Sequence, residues 1–233
     1  MFGINEILDK VISKKELTEE EKFKILRSKR IDTKVVEYLM NKLNNLHIEV
    51  LGKYEGSLFE LMPVGKLEGW CWQTTESAII FLNDDDYIER GNLKFDERTP
   101  EYYHSWICFK FDGTEYVLDP CLSFLCKKSD YSKIFEIDVK GKVSAKAVKE
   151  ELIKQITTPK ENNSESHKAF QSFMKSFMGD SYDSYVESKK EEVTVCGPED
   201  VNTPLYRNGA GYRTEIENGK IKKLNVHYYY TDC

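Results

Sequence analysis

The amino-acid sequence predicts an α+β fold in which helices precede a mainly antiparallel β-sheet. Two runs of apolar residues at helical spacing predict helices, one near the N-terminus and one after Gly69. Two alternating segments around the tight-turn pairs Asp112-Gly113 and Asn218-Gly219 predict β-hairpins. At 233 residues, the chain can form one sizeable domain with a small helical extension.

Residues 1–46 are predicted to form a cap of three short helices, because their apolar residues fall into three stripes. The first two stripes are Ile4, Ile7, Leu8, Val11 and Ile12, and then Phe23 and Leu26. The third stripe is Val35, Val36, Leu39, Met40 and Leu43. Residues 47–233 are then expected to form the main α+β domain, which ends in the second hairpin.

Between the hairpins, the pattern predicts a strand, a loop and two helices. The strand is expected at 134–139 with Gly141 as its end, and a helix at 144–156. The polar stretch 157–166 predicts a loop, and the apolar spacing of Phe170, Phe173, Met174 and Phe177 predicts another helix. A further strand is expected at 193–196, before the hairpin of 212–230.

Composition excludes several classes of function. A net charge of −6 argues against a general nucleic-acid binder or a binder of anionic membranes, since both need a basic surface. The sequence has no run of about 18 apolar residues, so we expect no spanning helix. It has six cysteines without a CxxC pair, and its N-terminus does not resemble a secretory signal. A reducing cytoplasm is therefore the expected compartment.

Cys71 is the first candidate for a functional residue. A helix is predicted over 71–82, which places this cysteine in the first turn. Unpaired backbone amides and the positive end of the helix dipole favour a thiolate there, and the amides could also bind an oxyanion. The alternative is a buried cysteine with a packing role, which is common for free cysteines.

His104 and Asp119 are the next candidates. If Asp112 and Gly113 form the turn, Lys110 faces Glu115, which gives a favourable cross-strand pair of charges. In this register His104 and Asp119 are diagonal neighbours on one face of the hairpin. The face is predicted to carry His104, Trp106, Cys108, Val117 and Asp119, whereas the core face carries Ile107, Phe109, Phe111, Tyr116 and Leu118. The alternative is a surface histidine beside an unrelated carboxylate.

Three short motifs give the chain a resemblance to the transglutaminase-like superfamily. They are Gly-x-Cys-Trp at a helix start, His-x-Trp opening a strand, and Asp-Pro closing the partner strand. The matching residues are Gly69, Cys71, Trp72, His104, Trp106, Asp119 and Pro120. The resemblance covers residues 60–122. It implies a papain-like core, with the nucleophilic cysteine at a helix N-terminus packed on an antiparallel sheet. Arylamine N-acetyltransferases have a similar layout, but the two tryptophans favour the transglutaminase-like group.

By this resemblance, Cys71 is the nucleophile, His104 its base and Asp119 the residue that orients the base. The expected activity is hydrolysis or acyl transfer at a peptide or protein amide through a thioacyl enzyme. A peptidase or amidase is favoured over a crosslinking enzyme. The tryptophans near these residues are expected to contact the substrate: Trp70, Trp72 and Trp106. The oligomeric state stays open.

Two other classes of protein remain open at this stage. One is a protein-binding module that keeps the transglutaminase-like fold with an idle triad. The other is a zinc protein that uses Cys121 and Cys126 with Cys108 or His104, although no second closely spaced pair completes a tetrahedral site. The acidic run 84–86 lacks the pattern of a calcium loop and is predicted to be a solvated helix end. We therefore expect no metal and no cofactor.

Overall fold

A computed structural model describes residues 32–94, 102–157, 192–194 and 209–229, with the backbone alone at 156–157 and 192–194. Within these residues the protein is α+β, with five α-helices and two five-stranded sheets. The helices predicted before residue 32 and around Phe170, and the loop at 158–166, lie outside the described residues. The division into a cap and a main domain stays a prediction.

The helices and strands alternate along the chain. The helices are α1 (Thr33–Leu43), α2 (Leu58–Leu61), α3 (Cys71–Ile79), α4 (Lys128–Ile134) and α5 (Ala145–Thr157). The strands are β1 (Leu46–Val50), β2 (Tyr54–Ser57), β3 (Tyr87–Lys94), β4 (Tyr102–Phe111), β5 (Thr114–Asp119), β6 (Phe124–Lys127), β7 (Glu136–Ser144), β8 (Glu192–Thr194), β9 (Ala210–Glu217) and β10 (Lys220–Tyr228). The predicted order of helices first and strands later is thus replaced by an interleaved one.

The first sheet, sheet A, has the strand order β2-β1-β10-β9-β8. Its β9–β10 hairpin is the predicted one, with Asn218 and Gly219 at φ 52° and 71°, the positive values that a type I′ turn needs. Strand β1 pairs with β10 in parallel, whereas the other pairs of sheet A are antiparallel. The sequence predicted one sheet, but the structure has two.

The second sheet, sheet B, has the order β6-β5-β4-β3-β7 and is antiparallel throughout. The predicted register of its β4–β5 hairpin is confirmed, since Lys110 faces Glu115 and the turn residues have φ of 48° and 72°. The Glu115 carboxylate accepts a hydrogen bond from Tyr87 Oη at 2.5 Å and lies 4.0 Å from Lys128 Nζ. Its contacts therefore tie β5 to neighbouring elements.

The β4–β5 hairpin is buried on both faces. Ile107, Phe109 and Leu118 belong to the larger apolar core, whereas Trp106, Cys108 and Val117 belong to a second apolar cluster on the other side of sheet B. The predicted division of residues between the two faces is confirmed. The face that carries His104 and Asp119 is therefore part of the interior.

The predicted helices of the described region are largely confirmed. Val35, Leu39 and Leu43 of α1 are buried, but Met40 is 52% exposed and does not belong to the buried stripe. Helix α3 ends at Ile79, three residues earlier than predicted. Helix α5 lies one residue later than the predicted range of 144–156, with Ala145, Val148 and Leu152 buried.

The strand predicted at 134–139 is shifted along the chain. Ile134 ends α4, and β7 runs from Glu136 to Ser144 through Gly141, which was expected to end it. The strand continues because its pairing with β3 absorbs one extra residue opposite Arg90 and Gly91. A Cβ at Gly91 would lie 2.2 Å from the carbonyl oxygen of Asp138, so only glycine allows this close approach.

A buried ion pair fixes α3 on sheet B. Arg90 Nη2 of β3 lies 2.5 Å from Glu76 Oε1 of α3, and both side chains are fully buried. The Arg90 guanidinium also lies 4.4 Å from the centre of the Trp72 ring. Because removing one charge leaves the other buried without compensation, this pair constrains where α3 can lie.

We expect Glu76→Gln to destabilise the protein by about 3–5 kcal/mol, measured by urea unfolding, because the buried charge of Arg90 would lose the carboxylate of Glu76. The double variant Glu76→Leu with Arg90→Met removes both charges and should recover much of this loss. Glu215→Ala, which breaks an exposed pair with Lys223, is the matched control and should cost less than about 1 kcal/mol. If Glu76→Gln and Glu215→Ala lower the free energy of unfolding equally, the stabilising role of the buried pair is contradicted.

Candidate active site

The candidate site begins at the turn that leads into α3. Gly69 has φ +85°, a left-handed value that glycine adopts without strain, and the Trp70 N–H donates to the Leu67 carbonyl at 3.1 Å. Cys71 is then the first helical residue, half-buried, with its side chain in the first turn. An α-helix leaves the backbone amides of its first turn without an acceptor inside the helix.

A hydrogen bond between hydroxyl groups ties α3 to β4. Thr75 Oγ1 lies 2.7 Å from Ser105 Oγ and also donates to the Cys71 carbonyl oxygen at 2.8 Å. One turn earlier, the Trp72 ring stacks on Tyr103 with ring centres 5.3 Å apart. These contacts bring the start of α3 alongside the part of β4 that carries His104.

His104 lies where strand β4 extends beyond its neighbour β5. In the described hairpin, β5 ends at Asp119, so residues 102–105 pair with β3 on one side only. His104 Nε2 lies 2.8 Å from Asp119 Oδ2 in this space, and the Cys71 thiol is near enough to the same side chain to affect its pKa. Because Nε2 is occupied by Asp119, Nδ1 is the nitrogen left for Cys71.

Asp119 is held by donors from three elements. Its Oδ1 accepts from the Leu122 backbone N–H at 3.1 Å, and its Oδ2 accepts from Tyr131 Oη at 2.8 Å as well as from His104. The carboxylate is fully buried and His104 is 4% exposed. Tyr131 was not identified from the sequence, because no motif or periodicity connects a tyrosine of α4 with the end of β5.

The surroundings of His104 favour its protonated form. Burial alone would lower the pKa of His104, but the charge and hydrogen bond of Asp119 raise it, as does the neighbouring Cys71. The net result raises the pKa from 6.5 to about 10. An imidazolium therefore lies beside the Cys71 thiol at neutral pH, which is the environment that stabilises a thiolate.

The three tryptophans occupy different environments. Trp106 is fully buried, stacks on His104 with ring centres 6.2 Å apart, and donates from Nε1 to Glu89 Oε2 at 3.0 Å. Trp70 is 7% exposed and stacks on Tyr228. The Trp106 ring is not exposed, whereas Trp72 is half-buried and keeps an exposed part. The roles of the three tryptophans in substrate binding stay a prediction.

The other described cysteines are buried free thiols. Cys108 Sγ donates to Glu89 Oε2 at 3.4 Å, and Cys121 Sγ donates to the Leu67 carbonyl at 2.7 Å. Cys126 belongs to the second apolar cluster. Burial raises the pKa of both Cys108 and Cys121 above the ordinary value of a thiol. Among the residues that the structure describes, no group of three or more His, Cys, Asp or Glu side chains has an arrangement that could hold a metal ion.

The acidic run 84–86 is only partly the solvated helix end that the sequence predicts. Asp84 and Asp85 are exposed, but Asp86 is 2% exposed and was wrongly assigned to solvent. Its carboxylate accepts from the backbone N–H groups of Asn83 at 2.8 Å and Lys110 at 3.1 Å. Burial raises the pKa of Asp86 against the lowering effect of these hydrogen bonds. Asp86 thus joins the end of α3 to β4.

Comparison with known proteins adds no relative. No family model matches the chain, and neither the curated proteins nor the solved structures contain a significant match. Within the described ranges, none of the helices has the length and apolar character needed to cross a membrane. The structure brings together Cys71, His104 and Asp119, the three residues that the sequence singled out, and their roles in catalysis stay a prediction.

The raised pKa of His104 predicts a pH-dependent stability. The folded protein holds a proton that the unfolded chain releases above pH 6.5, so this stabilisation is complete below pH 6.5 and is lost as the pH rises through about 10. We expect the free energy of unfolding of the wild type, relative to His104→Gln, to fall across this window in urea titrations. Asp119→Asn should flatten the dependence. If the difference in free energy of unfolding between the wild type and His104→Gln stays constant from pH 6.5 to 10, the raised pKa of His104 is contradicted.

Proposed function

We propose that the protein is a cysteine enzyme of the transglutaminase-like type that hydrolyses or transfers the acyl group of a peptide or protein amide. The observation that carries the proposal is the arrangement of Cys71 in the first turn of a helix, His104 beside it, and Asp119 hydrogen-bonded to His104. A nucleophile, a base beside it and a group that orients the base are the three parts that thiol-based acyl transfer needs.

The first half of the proposed reaction forms a thioacyl enzyme. Cys71 Sγ, as the thiolate beside protonated His104, attacks the carbonyl carbon, and the carbonyl π electrons move to the oxygen. The amides of the first turn of α3 are suited to stabilise this oxyanion. When the intermediate collapses, the carbon–nitrogen bond breaks, and His104 gives its proton to the departing amine.

The second half of the reaction releases the acyl group. His104, now neutral, takes a proton from water as the water oxygen attacks the thioester carbon, and the thiolate of Cys71 leaves with its electron pair. An amine in place of water would give a crosslinked or transamidated product. We favour water, and hence a peptidase or amidase, because water needs no binding site of its own.

The papain-like core that the resemblance implies agrees with the local arrangement. The nucleophile begins a helix that packs on a strand of an antiparallel sheet, the histidine lies on that strand, and the aspartate ends its partner strand. Trp72 is the tryptophan that we propose for substrate contact, because part of its ring is exposed one residue after Cys71. The expected cytoplasmic compartment and the absence of a cofactor belong to the same proposal.

We expect iodoacetamide to modify Cys71 faster than any other described cysteine, because it is half-buried and lies beside a cation, whereas Cys108, Cys121 and Cys126 are buried. In His104→Ala the rate at pH 7 should fall about tenfold or more, since the group that stabilises the thiolate is gone. Site-resolved mass spectrometry against pH measures both rates.

The buried cysteines serve as internal controls, because their modification should not respond to His104→Ala. Asp119→Asn should reduce the rate of Cys71 modification less than His104→Ala does, because it removes the carboxylate that stabilises the imidazolium but keeps the imidazole itself. If Cys71 reacts no faster than the buried cysteines and no variant changes its rate, the enzyme proposal fails. The alternative of an idle fold that binds proteins would then be the better explanation.

A further inference from the structure

Two donors share one oxygen of the Asp119 carboxylate. His104 Nε2 and Tyr131 Oη each lie 2.8 Å from Oδ2, whereas Oδ1 accepts from the Leu122 amide at 3.1 Å. The imidazolium of His104 therefore shares the negative charge of this oxygen with the neutral hydroxyl of Tyr131. Hydrogen bonds to a carboxylate are strong enough for such sharing to change how firmly a third group is held.

The Tyr131 hydroxyl is fixed in this position. The side chain is fully buried, and its ring packs between Trp106 and Phe135 with ring centres 5.9 Å and 4.7 Å away. Burial, together with the negative charge of Asp119, raises the pKa of Tyr131 well above its ordinary value. The hydroxyl consequently stays protonated and has no exposed position to which it could turn, so it remains a donor to Asp119.

The direction of the hydroxyl dipole decides its effect on His104. Because the Tyr131 proton points at Oδ2, the positive end of the dipole lies toward the oxygen that also receives the His104 proton. We propose that Tyr131 is a positioning residue that shares Asp119 Oδ2 with His104 and thereby limits how strongly Asp119 retains the proton on the imidazole. Among the described residues, the other titratable groups near His104, Asp119 and Tyr131 include Cys71 on α3, Tyr102 on β4, Cys121 just after β5 and Cys126 on β6.

This inference rests on the proposed function for its chemical meaning. A general acid must release its proton to the leaving group, and an imidazolium held too firmly by a buried carboxylate gives up its proton poorly. Tyr131 weakens that hold while Leu122 keeps the carboxylate in place. The arrangement thus combines a fixed Asp119 with a His104 that is still able to transfer its proton.

The test is a histidine-ring NMR titration of the full chain in the wild type and Tyr131→Phe. Loss of the hydroxyl should raise the pKa of His104 by about one unit, because Asp119 then interacts with the imidazolium alone. The matched control is Tyr212→Phe, which removes another buried hydroxyl; Tyr212 lies on β9 of sheet A and faces Ser77 and Glu76 of α3. It should leave the His104 titration unchanged.

An unchanged or lowered pKa of His104 in Tyr131→Phe would overturn the inference, as would an equal shift in Tyr212→Phe. Should Tyr131→Phe not fold, Tyr131 labelled with fluorine beside the hydroxyl gives a second test. The more acidic phenol donates more strongly, so it should lower the pKa of His104. Iodoacetamide reactivity of Cys71 is measured on the same samples. If the pKa of His104 shifts but Cys71 does not react, the proposed enzymatic function is contradicted and the role of Tyr131 is kept.

Discussion

The hydrogen bond between His104 and Asp119 is the interaction on which the candidate site depends. It joins β4 to the end of β5 in the space where β5 has ended, and it raises the pKa of His104 against the effect of burial. A buried histidine without this partner would be neutral and would offer the Cys71 thiol no cation. The two-residue turn at Asp112 sets the geometry of the hairpin and thereby places His104 beside Asp119. The turn therefore affects the charge that His104 presents to the Cys71 thiol.

The position of α3 is the second constraint, because the thiol must meet a ring that belongs to another element. The buried pair of Glu76 with Arg90 and the hydroxyl contact of Thr75 with Ser105 hold the helix to sheet B. The stack of Trp70 on Tyr228 holds its start to sheet A. The two sheets thus fix the first turn of α3 between them, and the half-buried Cys71 lies at that turn.

The parts of the structure that could be predicted are those fixed by local chemistry. Both hairpins follow from turn pairs that adopt positive φ, and once the turn is placed, alternation brings His104 and Asp119 to the same face. The pairing of β1 with β10 joins residues about 180 positions apart and has no local signature, so the second sheet was not predicted. The burial of Asp86 and the contact of Tyr131 with Asp119 likewise depend on packing between distant elements.

The central claim is that Cys71 accepts an acyl group with the help of His104. The most direct measurement incubates the protein with p-nitrophenyl acetate, follows the release of p-nitrophenol and locates the acetyl group by mass spectrometry. The account predicts a rapid release that matches the amount of protein, with a thioester on Cys71, and its loss in Cys71→Ala and slowing in His104→Ala. Acetylation spread over lysines at the same rate in all three proteins would contradict it.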